Sequence, residues 1–427
     1  MVLGGGGSPS PIAELLVQLA FVAALLAWIW MSRANEPVSL PLFWFGLMLL
    51  GLPILQLIPL PPEVWRSLPG RELQAATLAL IGEDHSWRPL SISPPLTFAG
   101  LLAIAPAVGT MWAVSTLHRG DRRFLLAAVA VVTLAGAALG ALQIASGPEA
   151  FRLYEKSHRG WLTAFHANRN AAADVLLIGS MALTTFYMAT RNLMRRLAAL
   201  VLSAQAVLLI ALLLTGSRAG IALLLVTLVF HWQIVKQGGV SAGAKRLWAA
   251  VMAVLAGLIA LPLLFVGNTQ LARVAGRFDV TGDARIPLWE DTLAAIDAFG
   301  WAGSGIGTFT NAFMPYESLA YLDAASPNRA HNDYLELLLE AGVLAPILLV
   351  GGAVLIVVAA QSAWRLSPRD HAIHLFASGG LAVIALHSIV DYPLRNMAIA
   401  CLAGALAGLL SPSTDGSRGR DKQDGAL

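Results

Sequence analysis

The sequence predicts an all-α polytopic membrane protein with about eleven transmembrane helices, and three observations predict it. Of the 427 residues, 57% are hydrophobic and only 12% charged, where a soluble domain carries about 25% charged residues. Apolar runs of about 20 residues, enough helix to span a bilayer, recur along the chain. Short basic loops separate alternate runs, which is the charge pattern of an oriented membrane protein.

The spans fall at 13–32, 40–60, 96–117, 124–146, 171–190, 197–215, 219–235, 247–266, 333–360, 372–390 and 396–411. Pro41, Pro53 and Pro59 interrupt the second. Arg119, Arg122 and Arg123 mark one basic loop. Arg191, Arg195 and Arg196 mark the next, followed by Lys236, Lys245 and Arg246, then Arg365 and Arg369. These loops are expected in the cytoplasm, with the N-terminus outside. Residues 1–12, glycine-rich and without Lys or Arg, read as a flexible tail. Residues 13–411 form one membrane domain, and 412–427, with Arg418, Arg420 and Lys422, read as a disordered cytoplasmic tail. The single cysteine, Cys401, excludes an intramolecular disulfide and a cysteine metal site.

The opposite face is different in kind. It carries long segments at 61–95, 147–170 and 267–332, and short turns at 216–218 and 391–395. Lys156 is its one lysine beside many arginines. A guanidinium grips phosphate or carboxylate with two parallel bonds, which an ammonium does not. Such a face suits anionic groups, set against ordinary ion pairing with the acids of the same loops. The segment 267–332 is too long for an idle connection. Within it, Ile286, Trp289, Leu293 and Ile296 recur at helical spacing, with Glu290, Asp291 and Asp297 on the other side. Pro287 suits the first turn of that helix and Gly300 its stop. Gly303, Gly305 and Gly307 make a turn; no strand precedes them, so they carry no nucleotide-binding weight.

Three helices begin on this face with polar starts: Asn168-Arg169-Asn170, Ser217-Arg218-Ala219-Gly220 and Arg329-Ala330-His331-Asn332-Asp333. A helix N-terminus presents unpaired N–H groups and the positive end of the dipole, and it binds phosphate. If the three converge they form an anion site, with Arg169 and Arg218 adding fixed charge and Arg277 and Arg285 reaching in from the long segment. Asn170, Ser217 and Asn332 join the candidate binding residues. Plain capping with snorkelling arginines explains any one start; three of one kind on one face favour a site. His331 is the side chain suited to proton transfer near neutral pH. Glu336 and Glu340, spaced i, i+4, are expected to pair with arginines. His387 and Asp391 share that spacing near the outer end of the tenth span and read as a histidine–carboxylate pair, either structural or supporting the site from behind. The outer histidines show no metal-ligand spacing.

The strongest motif is His331-Asn332 followed by Gly342, in His-Asn-Asp-Tyr-Leu-Glu-Leu-Leu-Leu-Glu-Ala-Gly. With Ser217-Arg218-Ala219-Gly220, Asn168-Arg169-Asn170, Arg285 ahead of Trp289, and Asp391-Tyr392-Pro393-Leu394-Arg395, the chain from about Trp87 to Arg395 resembles the O-antigen ligase and O-antigen polymerase superfamily of bacterial membrane glycosyltransferases. The ligase pattern has Gly, Thr or Tyr where this chain has Ala345. The resemblance implies a GT-C type enzyme of the bacterial inner membrane, working on the periplasmic side without metal or cofactor. Its donor would be an undecaprenyl diphosphate-linked oligosaccharide. Its acceptor would be a glycan or lipid-linked sugar hydroxyl, attacked with inversion. Polysaccharide assembly machinery is an implied partner, besides the lipid bilayer; nucleic acid is not. By the same resemblance His331 is the base, and Arg218 and Arg285 hold the diphosphate. The segment 61–95, with Trp87-Arg88-Pro89-Leu90-Ser91, looks more like exopolysaccharide polymerases than like core ligases; transfer to lipid A core or to protein is the alternative. A transporter or flippase would need ionisable groups near mid-membrane and broken helices in paired positions, whereas the strong polar residues gather at one boundary.

Overall fold

The computed structural model describes residues 1–6, 11–30, 37–194, 197–238, 285–319 and 327–413, without the side chains of 191–194. It is helical, with one two-residue antiparallel pairing of Pro59–Leu60 (β1) with Arg88–Pro89 (β2). Seven described helices are long and apolar enough to cross a membrane. These are α1 (Pro11–Trp30), α5 (Pro94–Ser115), α6 (Arg119–Ala145), α7 (Arg169–Met194), α8 (Ala198–Thr215), α9 (Arg218–Gln237) and α13 (Leu344–Leu366). Three further helices are shorter: α2 (Leu40–Gln56), α14 (His371–His387) and α15 (Met397–Leu409). The predicted span 247–266 lies outside the described residues.

The predicted span 333–360 is not one helix. It breaks into α12 (Asp333–Ala341) and α13 at Gly342, which has φ 54°. A Cβ there would come 2.2 Å from the carbonyl oxygen of Trp301. Backbone approach therefore demands glycine, and the chain turns around the 301–303 segment before α13 begins.

Burial ranks the helices. In α7, 94% of the apolar window is buried, and in α1 none is. α7 is the axis, packed on α6, α8, α9 and α14. Small residues permit this: a Cβ on Gly179 would meet Thr133 of α6 at 2.1 Å. The outward faces stay apolar, as Val350, Val354 and Val357 of α13 show. Such a surface suits lipid. The molecule is a multi-pass membrane protein.

One rim of the bundle, where α7 and α9 begin, carries a cap. It is built from α3 (Pro62–Trp65), α4 (Glu72–Ala79), α10 (Arg285–Phe299), α11 (Phe309–Phe313) and α12. Buried Arg71 knits its parts by donating from Nη2 to Leu90 O (2.6 Å) and Gly303 O (2.9 Å). α10 matches the helix expected from Ile286 to Gly300, but its buried face differs. Thr292, Ala295 and Phe299 are buried, while Ile286 and Leu293 are half exposed. The inward stripe runs through Leu288, Thr292, Ala295 and Phe299, and Trp289 at its edge donates to Ala330 O at 3.0 Å. The turn glycines 303, 305 and 307 all have positive φ. The N–H groups of Gly307 and Phe309 are taken by Glu340 Oε1 at 2.9 and 3.2 Å, so an internal carboxylate occupies that cradle.

The N-terminal residues differ from a flexible tail. Gly4 and Gly5 are buried. Gly5 N–H donates to the Tyr154 hydroxyl (2.8 Å), and the Gly5 and Gly4 carbonyls accept from Ala167 and Ala398 N–H.

Candidate active site at the rim where α7 and α9 begin

The three polar helix starts meet. α9 begins after Gly216, whose φ of 60° ends α8, and Ser217 caps it by accepting from Gly220 N–H at 3.1 Å. A Cβ on Gly220 would come 2.5 Å from that of Ala173, so the first turns of α9 and α7 are in close contact. Trp161 packs over Gly216, and the Arg169 guanidinium lies 5.0 Å from the Trp161 ring centre. This is cation–π range. α7 is joined to the start of α12 through Asp391. Asn170 Nδ2 donates to Asp391 Oδ2 at 2.5 Å, and Asp391 Oδ1 lies 3.2 Å from His331 Nδ1.

His331 is held in the left-handed region at φ 50°, which disfavours any residue with a Cβ. Both neighbours are pinned. Ala330 gives its N–H to Glu336 Oε2 (3.1 Å) and receives the Trp289 indole on its carbonyl. Asn332 caps α12, its Oδ1 accepting from Tyr334 and Leu335 N–H. The imidazole meets Tyr392 edge-on at 4.8 Å. Strain that surrounding bonds enforce is found at functional sites.

The protonation pattern follows from the partners. An ionised carboxylate only accepts, so Nδ1 of His331 carries the proton and Nε2 keeps its lone pair. Burial opposes ionisation of Asp391, but the hydrogen bond with His331, the charge of His387 and the Asn170 amide outweigh it. They hold the carboxyl well below the usual carboxylate range. His331 remains about one-third exposed along its side chain. An imidazole so arranged accepts a proton at Nε2.

The remaining charges form an internal arginine–carboxylate network. Arg329 Nη1 pairs with Glu336 at 2.9 Å. Arg395 pairs with Glu340 (2.8 Å), Glu336 (3.3 Å) and, at 3.7 Å, Asp333. Burial alone would lower the Arg395 pKa, but these carboxylates raise it further. Glu336 and Glu340 thus pair with arginine as expected, and two arginines of the arginine-rich face are spent on internal acids.

The other candidates are placed as follows. Arg218 opens α9 and Arg285 opens α10. Arg285 is one helical turn before Trp289, the residue that grips Ala330, and its charge reaches His387. Ser217 and Asn332, expected to bind substrate, serve as caps. Asn170 binds Asp391. Arg277 lies outside the described residues. His387 and Asp391 do not pair with each other: Asp391 takes His331, and His387 Nδ1 takes Asp174 Oδ1 at 2.6 Å. Asp174 escaped the sequence reading. Its signal was an acid set inside the apolar run Ala171-Ala172-Ala173-Asp174-Val175-Leu176.

Among the described residues, no cluster of three or more His, Cys, Asp or Glu side chains is placed to hold a metal ion. Residues 198–350 match the family model described as O-antigen ligase. No curated protein matches the chain. The matched stretch contains Ser217, Arg218, Arg277, Arg285, His331 and Asn332 and stops short of Asp391, so it supports the superfamily resemblance without covering the His331 partner.

Proposed function

We propose that this chain, matched over residues 198–350 to the O-antigen ligase family, is an inverting glycosyltransferase. In this reading it works on the periplasmic face of the bacterial inner membrane, and its donor is an oligosaccharide on undecaprenyl diphosphate. The observation that carries the reading is the His331–Asp391 pair at the meeting point of three helix N-termini. An acceptor sugar hydroxyl gives its proton to His331 Nε2 as its oxygen attacks the anomeric carbon. The bond from that carbon to the phosphate oxygen breaks, and diphosphate departs with the electron pair. One displacement inverts the centre. Arg218 and Arg285, with Arg277 and the α9 start, stabilise the departing charge. Arg169 lines the approach, and Asn170 holds Asp391. Diphosphate is already a good leaving group, which makes a metal unnecessary in this scheme.

A polysaccharide polymerase is the form that Ala345 and the 61–95 segment favour. The family description itself favours the second form, a ligase. Purified protein given a lipid-linked oligosaccharide decides between them. A ladder of lengthening products identifies a polymerase. A single transfer to a different acceptor identifies a ligase. Transport of the lipid-linked sugar without a new glycosidic bond would overturn both.

A further inference from the structure

Beneath His331 lies a second histidine–carboxylate pair for which the reaction scheme gives no task. His387 and Asp174 are each 1% exposed along the side chain and meet at 2.6 Å. The pair is incompletely satisfied: His387 Nε2 and Asp174 Oδ2 are buried with no hydrogen-bond partner. A buried pair with unmet groups is a poor source of stability, so its placement calls for another reason.

The placement is regular. Asp174 is one turn after Asn170 on α7, and His387 is four residues before Asp391 at the end of α14. The two segments run in opposite directions, so Asn170–Asp391 and Asp174–His387 form two successive rungs between them. The five residues from His387 to Asp391 also carry further links toward His331. The Asp391 N–H donates to the carbonyl of His387 itself at 2.9 Å. Ser388 Oγ donates to Asp333 Oδ2 at 2.9 Å, and Asp333 N–H returns to Ser388 O at 3.0 Å. Asp391 then holds His331. A shift of His387 along α7 would move the Asp391 carboxylate and the start of α12 together.

We propose that Asp174 and His387 are positioning residues: their buried bond sets the register of the 387–391 turn on α7 and so aims the His331 imidazole. This rests on the glycosyltransferase reading and adds to it a component one helical turn below the reacting groups. Nothing in the pair touches substrate, so its loss acts on turnover rather than on donor binding.

The test replaces the pair by apolar side chains of similar total volume, Asp174→Ala with His387→Met. Apolar replacement of a buried ion pair often preserves or raises stability. Transfer is measured on purified full-length protein with a lipid-linked oligosaccharide, beside the thermal midpoint in detergent. The expected result is a midpoint no lower than wild type, a donor KM within about threefold, and a kcat reduced about 10²-fold, the usual penalty for a misplaced group. A stable double variant with wild-type kcat would overturn the proposal. Should the double variant fail to insert, His387→Asn decides, because its amide donates to Asp174 from the position of Nδ1. A kcat within about tenfold of wild type supports positioning by that bond, and a larger loss refutes it. Wild-type protein that transfers nothing would sink the enzyme reading itself, whereas an active wild type beside an equally active, stable double variant sinks only this inference.

Discussion

Arginine is wholly buried at one rim of the bundle and largely covered at the other, and the two rims use it in opposite ways. At the rim where α6 begins, Arg122 is 0% exposed. It donates to Leu117 O, Ser411 O, Ser411 Oγ and Pro412 O at 2.8–3.1 Å. Its partners in these bonds are neutral, and they belong to the turn before α6 and the chain after α15. At the other rim Arg395 sits among Asp333, Glu336 and Glu340, beside a histidine in a strained backbone conformation. The first arrangement is a satisfied anchor. The second surrounds a strained, one-third-exposed imidazole with charge. The lesson is that a buried cation says little by itself; the partners decide whether it fastens helices or shapes a reactive group.

The comparison predicts that substitutions at the His331 rim act on rate and those at the Arg122 rim act on stability. The largest effect is expected for His331→Ala. Transfer should fall about 10²–10⁴-fold, the usual worth of a general base, with membrane insertion unchanged. Near-normal turnover in the product-ladder assay would remove the base role and the contrast with it. Asp391→Asn comes next. The amide presents a donor as well as an acceptor to Nδ1, so the favoured tautomer is lost and the rate should drop on the order of 10²-fold with little change in donor KM. An equal loss in both parameters would mean that Asp391 serves binding instead.

Arg122→Met tests the opposite rim. It leaves buried carbonyls without donors, at about 1–3 kcal/mol for each group left unsatisfied. The thermal midpoint should fall, while kcat per folded molecule stays at the wild-type value. A changed kcat in the folded fraction would break the division between rims.

The smallest effect concerns His166, which is buried beside Gly5 at the His331 rim with no hydrogen-bond partner on either ring nitrogen. Burial lowers its pKa to about 3, against about 6.5 in the unfolded chain. Below pH 6.5 the unfolded state therefore takes up a proton that the folded state refuses. Stability falls as the pH drops from there toward about 3, by at most about 1.4 kcal/mol per pH unit. His166→Phe should flatten that part of the stability profile. An unchanged slope would show that His166 is charged in the folded protein.

Much of this was legible along the chain. Helix positions follow from apolar runs and their caps, and α10 lies where Pro287 and Gly300 set its limits. His331 stood out because a titratable side chain directly precedes an apolar helix. Its partner did not stand out. Asp391 is 60 residues away and stands four residues after His387, a spacing that suggested the wrong pair. The split at Gly342 was hidden as well, since nothing local announces that the Trp301 carbonyl will crowd that position.

Composition and periodicity by themselves determined that the chain lives in a membrane, where most of its long apolar helices run, and which ends of those helices carry arginine and histidine. These properties depend on neighbours within a turn or two, and the sequence lists such neighbours directly. Only the tertiary structure decided that Asp391 belongs to His331 and Asp174 to His387, and that Arg329 and Arg395 face acids. A carboxylate finds its partner through the packing of helices far apart in the chain, and side-chain bonds at 3 Å depend on helix rotations that no local pattern encodes.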